Sequence, residues 1–129
     1  MPLTPEGVRN VQFATTRLRP GYDMADVDAF LRRLTYQVDA LTGANDALRG
    51  MLDQARRGGR RPDGIAPPVL SLTVDDVRSV AFKTTRLRPG YDKQEVDAFL
   101  DRAEAGIREL ALENDELRAE LSAAQNPSA

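Results

Sequence analysis

Two leucines, each set between two arginines, are the residues best placed to act on something outside the chain: Arg17-Leu18-Arg19 and Arg86-Leu87-Arg88. A leucine offers apolar area for burial, and the flanking guanidiniums are planar, permanently charged forks that match phosphate or carboxylate. Both triplets lie within the same nine residues. Thr15-Thr16-Arg17-Leu18-Arg19-Pro20-Gly21-Tyr22-Asp23 returns unchanged as Thr84-Thr85-Arg86-Leu87-Arg88-Pro89-Gly90-Tyr91-Asp92. Most of these residue types make poor core, so a second copy points to a surface used twice. Pro20 disfavours helical geometry at Arg19 and Gly21 takes positive φ without steric cost, so each copy reads as a turn that lifts its leucine just ahead of a helix. That arrangement suits an anionic membrane surface. Burying one leucine is worth about 1.5–3 kcal/mol and each arginine near the headgroups about 1 kcal/mol. The competing structural reading folds Leu18 and Leu87 inward onto Phe13 and Phe82 and leaves the arginines solvated.

Other chemistries have less to draw on. The 129 residues contain no histidine and no cysteine, which removes the commonest general base, thiolate nucleophiles and the usual transition-metal ligands. Absence of cysteine is compatible with a reducing compartment. Carboxylates are plentiful but fall at caps and on helix faces, and there is no Gly-rich phosphate loop or nucleophile elbow, so no enzyme, catalytic residue, metal or cofactor is expected. The net charge is −2, the basic triplets carry no aromatic stacking platform, and no recognition-helix stripe is present, which argues against nucleic acid. Met1-Pro2-Leu3-Thr4-Pro5-Glu6 lacks the basic patch and apolar run of a secretory signal, and no stretch of about eighteen apolar residues could span a bilayer, so any membrane contact is expected to be peripheral.

The elements that must hold the triplets are helical. Thr4 reads as an N-cap with Pro5 at the first helical position and Glu6 in the first turn, opening a short helix to about Phe13. Its counterpart opens at Thr73, with Asp75 and Asp76 as early acids and Val77, Val80 and Phe82 on the apolar side. After the turn, Asp23 caps a second helix with Asp26 three residues on. Asp92 with Glu95 forms a capping-box-like pair in the later copy. Both helices run through Val-Asp-Ala-Phe-Leu, at Val27–Leu31 and Val96–Leu100, into heptads. Position a is Leu31, Val38, Asn45 and Leu52, then Leu100, Ile107, Asn114 and Leu121; position d is Leu34, Leu41, Leu48 and Ala55, then Ala103, Leu110, Leu117 and Ala124. Branched residues at a with leucine at d favour two parallel strands, and one asparagine at a, Asn45 or Asn114, pins the register. An ordinary amphipathic bundle is the plainer alternative.

From Val8 to Arg33 against Val77 to Arg102, 19 of 26 positions are identical at a constant offset of 69, which is a duplication. The expected organisation is a first repeat over 1–55, a flexible Arg/Gly/Pro linker over 56–71, a second repeat over 72–124 and a frayed tail over 125–129. The fold class is all-α: each repeat is a short helix, a basic loop and a long helix of a parallel two-stranded coiled coil. Units this small bury little apolar surface alone, and 29% charged with 5% aromatic residues favours helical association over a thick core. The helices could pair within one chain or between two. Glu113 at g can meet Arg118 at e of an identical partner twice, but Arg49 of repeat one only once, which tilts the expectation towards a homodimer; the linker's effective concentration opposes it.

At these residues the sequence resembles the DivIVA N-terminal domain of bacterial cell-division and polar-growth scaffolds. The carrying motifs are Met1-Pro2-Leu3-Thr4-Pro5, Phe13, Gly21-Tyr22-Asp23 with Val27-Asp28-Ala29-Phe30-Leu31, and Glu113-Asn114-Asp115-Glu116-Leu117-Arg118. The resemblance implies a parallel coiled-coil dimer whose intertwined loops dip into anionic, negatively curved cytoplasmic membrane at a septum or pole. It places the inserting residues at Leu18 and Leu87 with Arg17, Arg19, Arg86 and Arg88 as phosphate partners, and it implies self-association and contact with other DivIVA-type or division proteins. Leucine stands where better-known relatives carry phenylalanine, Pro20 and Pro89 are additional, and no long C-terminal oligomerising coil follows. The alternative is an adaptor with inert loops whose coils bind a larger DivIVA-type scaffold.

Overall fold

The computed structural model describes residues 3–58 and 72–125; most of the expected linker, with Arg60 and Arg61, and the last four residues of the tail lie outside them. The elements run α1 (Pro5–Arg9), β1 (Thr15–Thr16), β2 (Gly21–Tyr22), α2 (Met24–Arg56), α3 (Val74–Ser79), β3 (Thr84–Thr85), β4 (Gly90–Tyr91) and α4 (Lys93–Gln125). The second four repeat the first.

Both short helices start as their caps dictate. The Thr4 hydroxyl accepts from the Gly7 N–H at 3.0 Å, with Pro5 at the first position. Thr73 and Asp76 complete a reciprocal capping box at 3.1 and 2.9 Å. The first helix ends at Arg9 rather than near Phe13. The chain beyond is drawn out so that the Phe13 ring reaches the other repeat, edge-on to Tyr91 at 5.4 Å and to Phe99 at 5.8 Å.

An all-α expectation needs correcting here, because the nine-residue copies form strands. Four two-residue strands make one antiparallel sheet in the order β1-β4-β2-β3. Thr15 and Thr16 face Tyr91 and Gly90, Gly21 and Tyr22 face Thr85 and Thr84, and Tyr22 meets Tyr91 at the centre. Every partnership crosses between repeats. Periodicity could not reveal strands this short, since their partners lie about seventy residues away in sequence. The central pair explains the glycines. A Cβ on Gly21 would sit 2.8 Å from the Tyr91 carbonyl oxygen, and one on Gly90 would sit 2.8 Å from that of Tyr22.

The long helices lie side by side in the same direction, joined from Phe30 and Phe99 near their starts to Leu52 and Leu121 near their ends. Leu34, Val38, Leu41, Leu48 and Leu52 are buried against Ala103, Ile107, Leu117 and Leu121, as the heptad assignment requires. Asn45 and Asn114 are also buried, and they bond to each other: Asn114 Nδ2 donates to Asn45 Oδ1 at 2.8 Å, while Asn45 Nδ2 donates to the Leu110 carbonyl at 3.1 Å. The first a layer departs from expectation, and Leu110 at d is half-buried. Leu31 and Leu100 are half-buried and border grooves beside the short helices, and Phe30 and Phe99 are the buried residues at that level. α2 runs to Arg56 and α4 to Gln125, each one residue beyond the expected boundary.

The preference for pairing between two chains is not what the structure shows, since each helix faces the other repeat of its own chain. Arg49 bridges to Glu113 while Arg118 donates to Asn114 Oδ1 at 2.8 Å, so the Glu113–Arg118 pairing of identical chains is not used. Covalent linkage holds the second helix at high effective concentration.

Two glycine substitutions should move stability in opposite directions. Gly43 has open space around it on α2, so Gly43→Ala should stabilise by about 0.5–1 kcal/mol, whereas Gly21→Ala must push β2 and β4 apart and should cost about 1–3 kcal/mol. Urea unfolding followed by circular dichroism measures both; an unchanged midpoint for Gly21→Ala contradicts the close approach.

Candidate functional site

The strand register fixes which residues bound the two basic loops. Thr16 pairs with Gly90 and Gly21 with Thr85, so each of these residues adjoins a loop. The segments 17–20 and 86–89 therefore both spring from strands that pair across the repeats. The long helices follow Tyr22 and Tyr91. At the tips, Leu18 and Leu87 are each 101% exposed. Packing onto Phe13 and Phe82 is excluded in this arrangement, because those rings are taken by aromatic contacts across the repeats: Phe82 lies 5.3 Å from Tyr22 and 5.7 Å from Phe30.

The four arginines divide into two kinds. Arg19 Nη2 donates to Asp92 Oδ2 and Arg88 Nη2 to Asp23 Oδ2, both at 2.7 Å. Arg17 and Arg86 are exposed and have no partner among the described residues. Arg19 and Arg88 thus hold the loops to the opposite helix caps with one edge of the guanidinium. Their side chains remain 68% and 70% exposed, which leaves the other edge open to a second anion. Of the further arginines near the linker, Arg56 pairs with Glu120 at 3.2 Å and Arg57 with Asp53 at 2.9 Å.

The same carboxylates cap the long helices. Asp23 Oδ1 accepts from the Asp26 N–H at 3.1 Å, and Asp92 Oδ1 from the Glu95 N–H at 3.2 Å. The expected return bond of a capping box at Asp92 does not form. Its backbone N–H instead donates to the Ala14 carbonyl at 2.8 Å, and Glu95 accepts from the Ala14 N–H at 3.0 Å. The first repeat repeats the pattern, with the Asp23 N–H on the Lys83 carbonyl at 2.7 Å and Asp26 accepting from the Lys83 N–H at 3.1 Å. Local sequence could not announce this, because a strand-like partner from the other repeat competes for the cap N–H.

Tyr22 and Tyr91 read in the sequence as structural residues closing each loop against the helix; that they do so across the repeats, on aspartates, went unread. Tyr22 Oη donates to Asp97 Oδ1 and Tyr91 Oη to Asp28 Oδ1, both at 2.7 Å. The Val-Asp-Ala-Phe-Leu aspartates are thus latches for the tyrosines that follow each loop, and Lys93 adds a cation 5.4 Å from the Tyr22 ring centre. Burial, then the hydrogen bond to aspartate and its charge, push both phenols up to about 12 from 10.0.

This displacement gives a signed pH dependence. Between about pH 10 and 12 the unfolded tyrosines lose protons that the folded ones keep, so stability is full below pH 10 and falls as pH rises through that window. Urea midpoints measured along this range should fall more steeply for the natural protein than for Tyr22→Phe/Tyr91→Phe. Equal slopes would show that the latches do not form.

Among the described residues, no helix is long and apolar enough to cross a membrane. Comparisons with curated proteins and with solved structures returned no match. A family model described as DivIVA protein matches residues 72–128. That match spans α3, the second basic loop and α4. Over this second repeat, with its cap, Gly-Tyr-Asp turn and long helix, the chain is similar to the DivIVA family.

Proposed function

We propose that the chain is a tandem pair of DivIVA-type modules, folded on one another, that binds anionic cytoplasmic membrane without catalysing a reaction. In this reading the two basic loops face the lipid. Leu18 and Leu87 enter the headgroup region, Arg17 and Arg86 pair with phosphates, and Arg19 and Arg88 add their open edges. The long helices form a parallel two-stranded coiled coil that carries the loops, with Asn45 and Asn114 pinning its register. The protein acts peripherally at the inner face of the membrane, at a division septum or a growing pole, where curvature and anionic lipid favour insertion. Further self-association and contact with other DivIVA-type division proteins run through the helices.

The observation that carries this reading is the complete exposure of two leucines, each beside an arginine with no partner among the described residues, on the loops of one crossed sheet. Isolated surface leucines are common, but two at equivalent positions of the two repeats, both held out from one crossed sheet, are a built feature. One loop is a weak anchor at about 1.5–3 kcal/mol for its leucine and about 1 kcal/mol per arginine. Two on a rigid frame act together, because the second contact is intramolecular once the first is made.

Leu18→Glu/Leu87→Glu should leave the fold intact, since neither side chain touches the core, and should weaken sedimentation with phosphatidylglycerol vesicles at least about a hundredfold. Each single variant should fall between. Retention of the double variant on vesicles, or septal localisation unchanged in cells, would instead identify an adaptor whose loops are inert.

A further inference from the structure

The two repeats match closely in their basic loops but differ on their flanks. Beside α1 lies a groove of about 330 Å³ lined by Val8, Val11 and Leu31 below and by Arg9, Arg32 and Thr35 around the rim, with Asp28 at one end. The equivalent groove beside α3 measures about 160 Å³, with Val77, Val80 and Leu100 below. Applying the offset of 69, Arg9 corresponds to Arg78, Arg32 to Asp101 and Thr35 to Glu104.

These exchanges decide what each groove can accept. In the second, Arg78 donates through Nε and Nη2 to Glu104 Oε1 at 3.0 and 2.6 Å, and Arg108 adds a third contact at 3.0 Å. The hydrogen bond from Arg78 holds the Glu104 carboxyl below the usual carboxylate range. In the first, threonine replaces that glutamate, and its hydroxyl turns back to the Leu31 carbonyl at 2.8 Å. Asp28 is engaged by Tyr91 at 2.7 Å. Arg9 and Arg32 are left exposed with no partner among the described residues, above an apolar floor.

We infer that the groove beside α1 is a docking site for an acidic, leucine-bearing segment of a partner protein, whose carboxylates take the place on Arg9 and Arg32 that Glu104 fills on Arg78. The molecule supplies the template for the contact: the same backbone frame, with a carboxylate present in one copy and missing from the other. An apolar floor with two cations on its rim is complementary to an amphipathic segment carrying leucine on one side and glutamate beside it. Position favours a peptide over a headgroup. The residues contributed by α2 span 28 to 35, roughly 6 to 17 Å along the helix from its start at 1.5 Å per residue, and no residue of 17–20 or 86–89 lines the groove.

The test uses the full chain and a short fluorescein-labelled peptide of leucine and glutamate pairs, with a second peptide carrying glutamine for every glutamate. Fluorescence anisotropy should show the glutamate peptide binding at least about tenfold tighter than the glutamine one, in keeping with charge-assisted contacts to two arginines. Thr35→Glu copies the second repeat's own bridge onto Arg9, at a half-buried position where Glu104 is already accommodated in the other copy, and should reduce that affinity about tenfold while the melting temperature holds. Methyl shifts on peptide addition should centre on Val8, Val11 and Leu31. Vesicle binding by Thr35→Glu should equal that of the natural chain, which separates this site from the loops. The inference is overturned by equal affinity for both peptides, by undiminished binding to Thr35→Glu, by no binding up to millimolar peptide, or by loss of vesicle binding in Thr35→Glu, which would make the groove a lipid site.

Discussion

The crossing of four very short strands between the two repeats is the constraint on which the rest depends. A strand of two residues has no independent stability, and even a two-stranded hairpin is marginal in water. Here each copy of Thr-Thr-Arg-Leu-Arg-Pro-Gly-Tyr is sheet only because the other copy lies against it. The order β1-β4-β2-β3 places a strand of the second repeat between the two strands of the first. Neither loop can therefore be presented by its own repeat. The backbones meet at Gly21 and Gly90, where even a methyl group would collide with a carbonyl oxygen. From this point the two long helices leave a shared frame, already in register, and the buried Asn45–Asn114 bond lies where that register puts it.

Electrostatic contacts direct this frame more than they stabilise it. Arg19–Asp92 and Arg88–Asp23 are largely solvated on the arginine side, and exposed pairs contribute roughly 0.2–1 kcal/mol each. Their carboxylates, however, are 13% and 14% exposed and serve two ends at once. One oxygen caps a long helix and the other takes the arginine of the opposite loop. Loop position is thereby coupled to helix start, and an arginine that looks available for phosphate in the sequence is partly committed to holding the tip in place. The unpartnered cations are the ones before the leucines, Arg17 and Arg86.

Much of this was legible because it is local or periodic. Caps at Thr4, Thr73, Asp23 and Asp92 sit where side-chain oxygen must answer orphan N–H groups, and the heptads name the buried layers down to the paired asparagines. What escaped was long-range and non-periodic. Strands at Thr15–Thr16 and Gly90–Tyr91 pair across the whole linker, and nothing in two threonines signals a sheet. Phe30 and Phe99 of the Val-Asp-Ala-Phe-Leu motif are core, yet its aspartate carried no hint that a tyrosine hydroxyl would arrive from the other copy. The paired glycines were read as turn residues, and their role is close approach of two backbones.

Duplication does not leave two interchangeable halves, and the differences favour pairing within the chain. Leu3 packs against α4 at Gly106, where a Cβ would come within 2.5 Å of the leucine's own Cβ. The matching contact on α2 is made by Leu72, which is buried while its N–H donates to Gln37 Oε1 at 3.3 Å. Gln37 and Gly106 occupy the same place in their repeats, so each helix is shaped for the leucine it meets. Two first repeats pairing together would bring Leu3 against Gln37, where the space at Gly106 is missing. The Arg49–Glu113 bridge adds to the same selectivity, since Arg49 corresponds to Arg118 and Glu113 to Ala44. Tandem fusion guarantees unlike partners, and unlike partners can keep the shared basic loops while their flanks diverge, as Thr35 and Glu104 have done. A symmetric dimer of one repeat would carry the same change on both flanks.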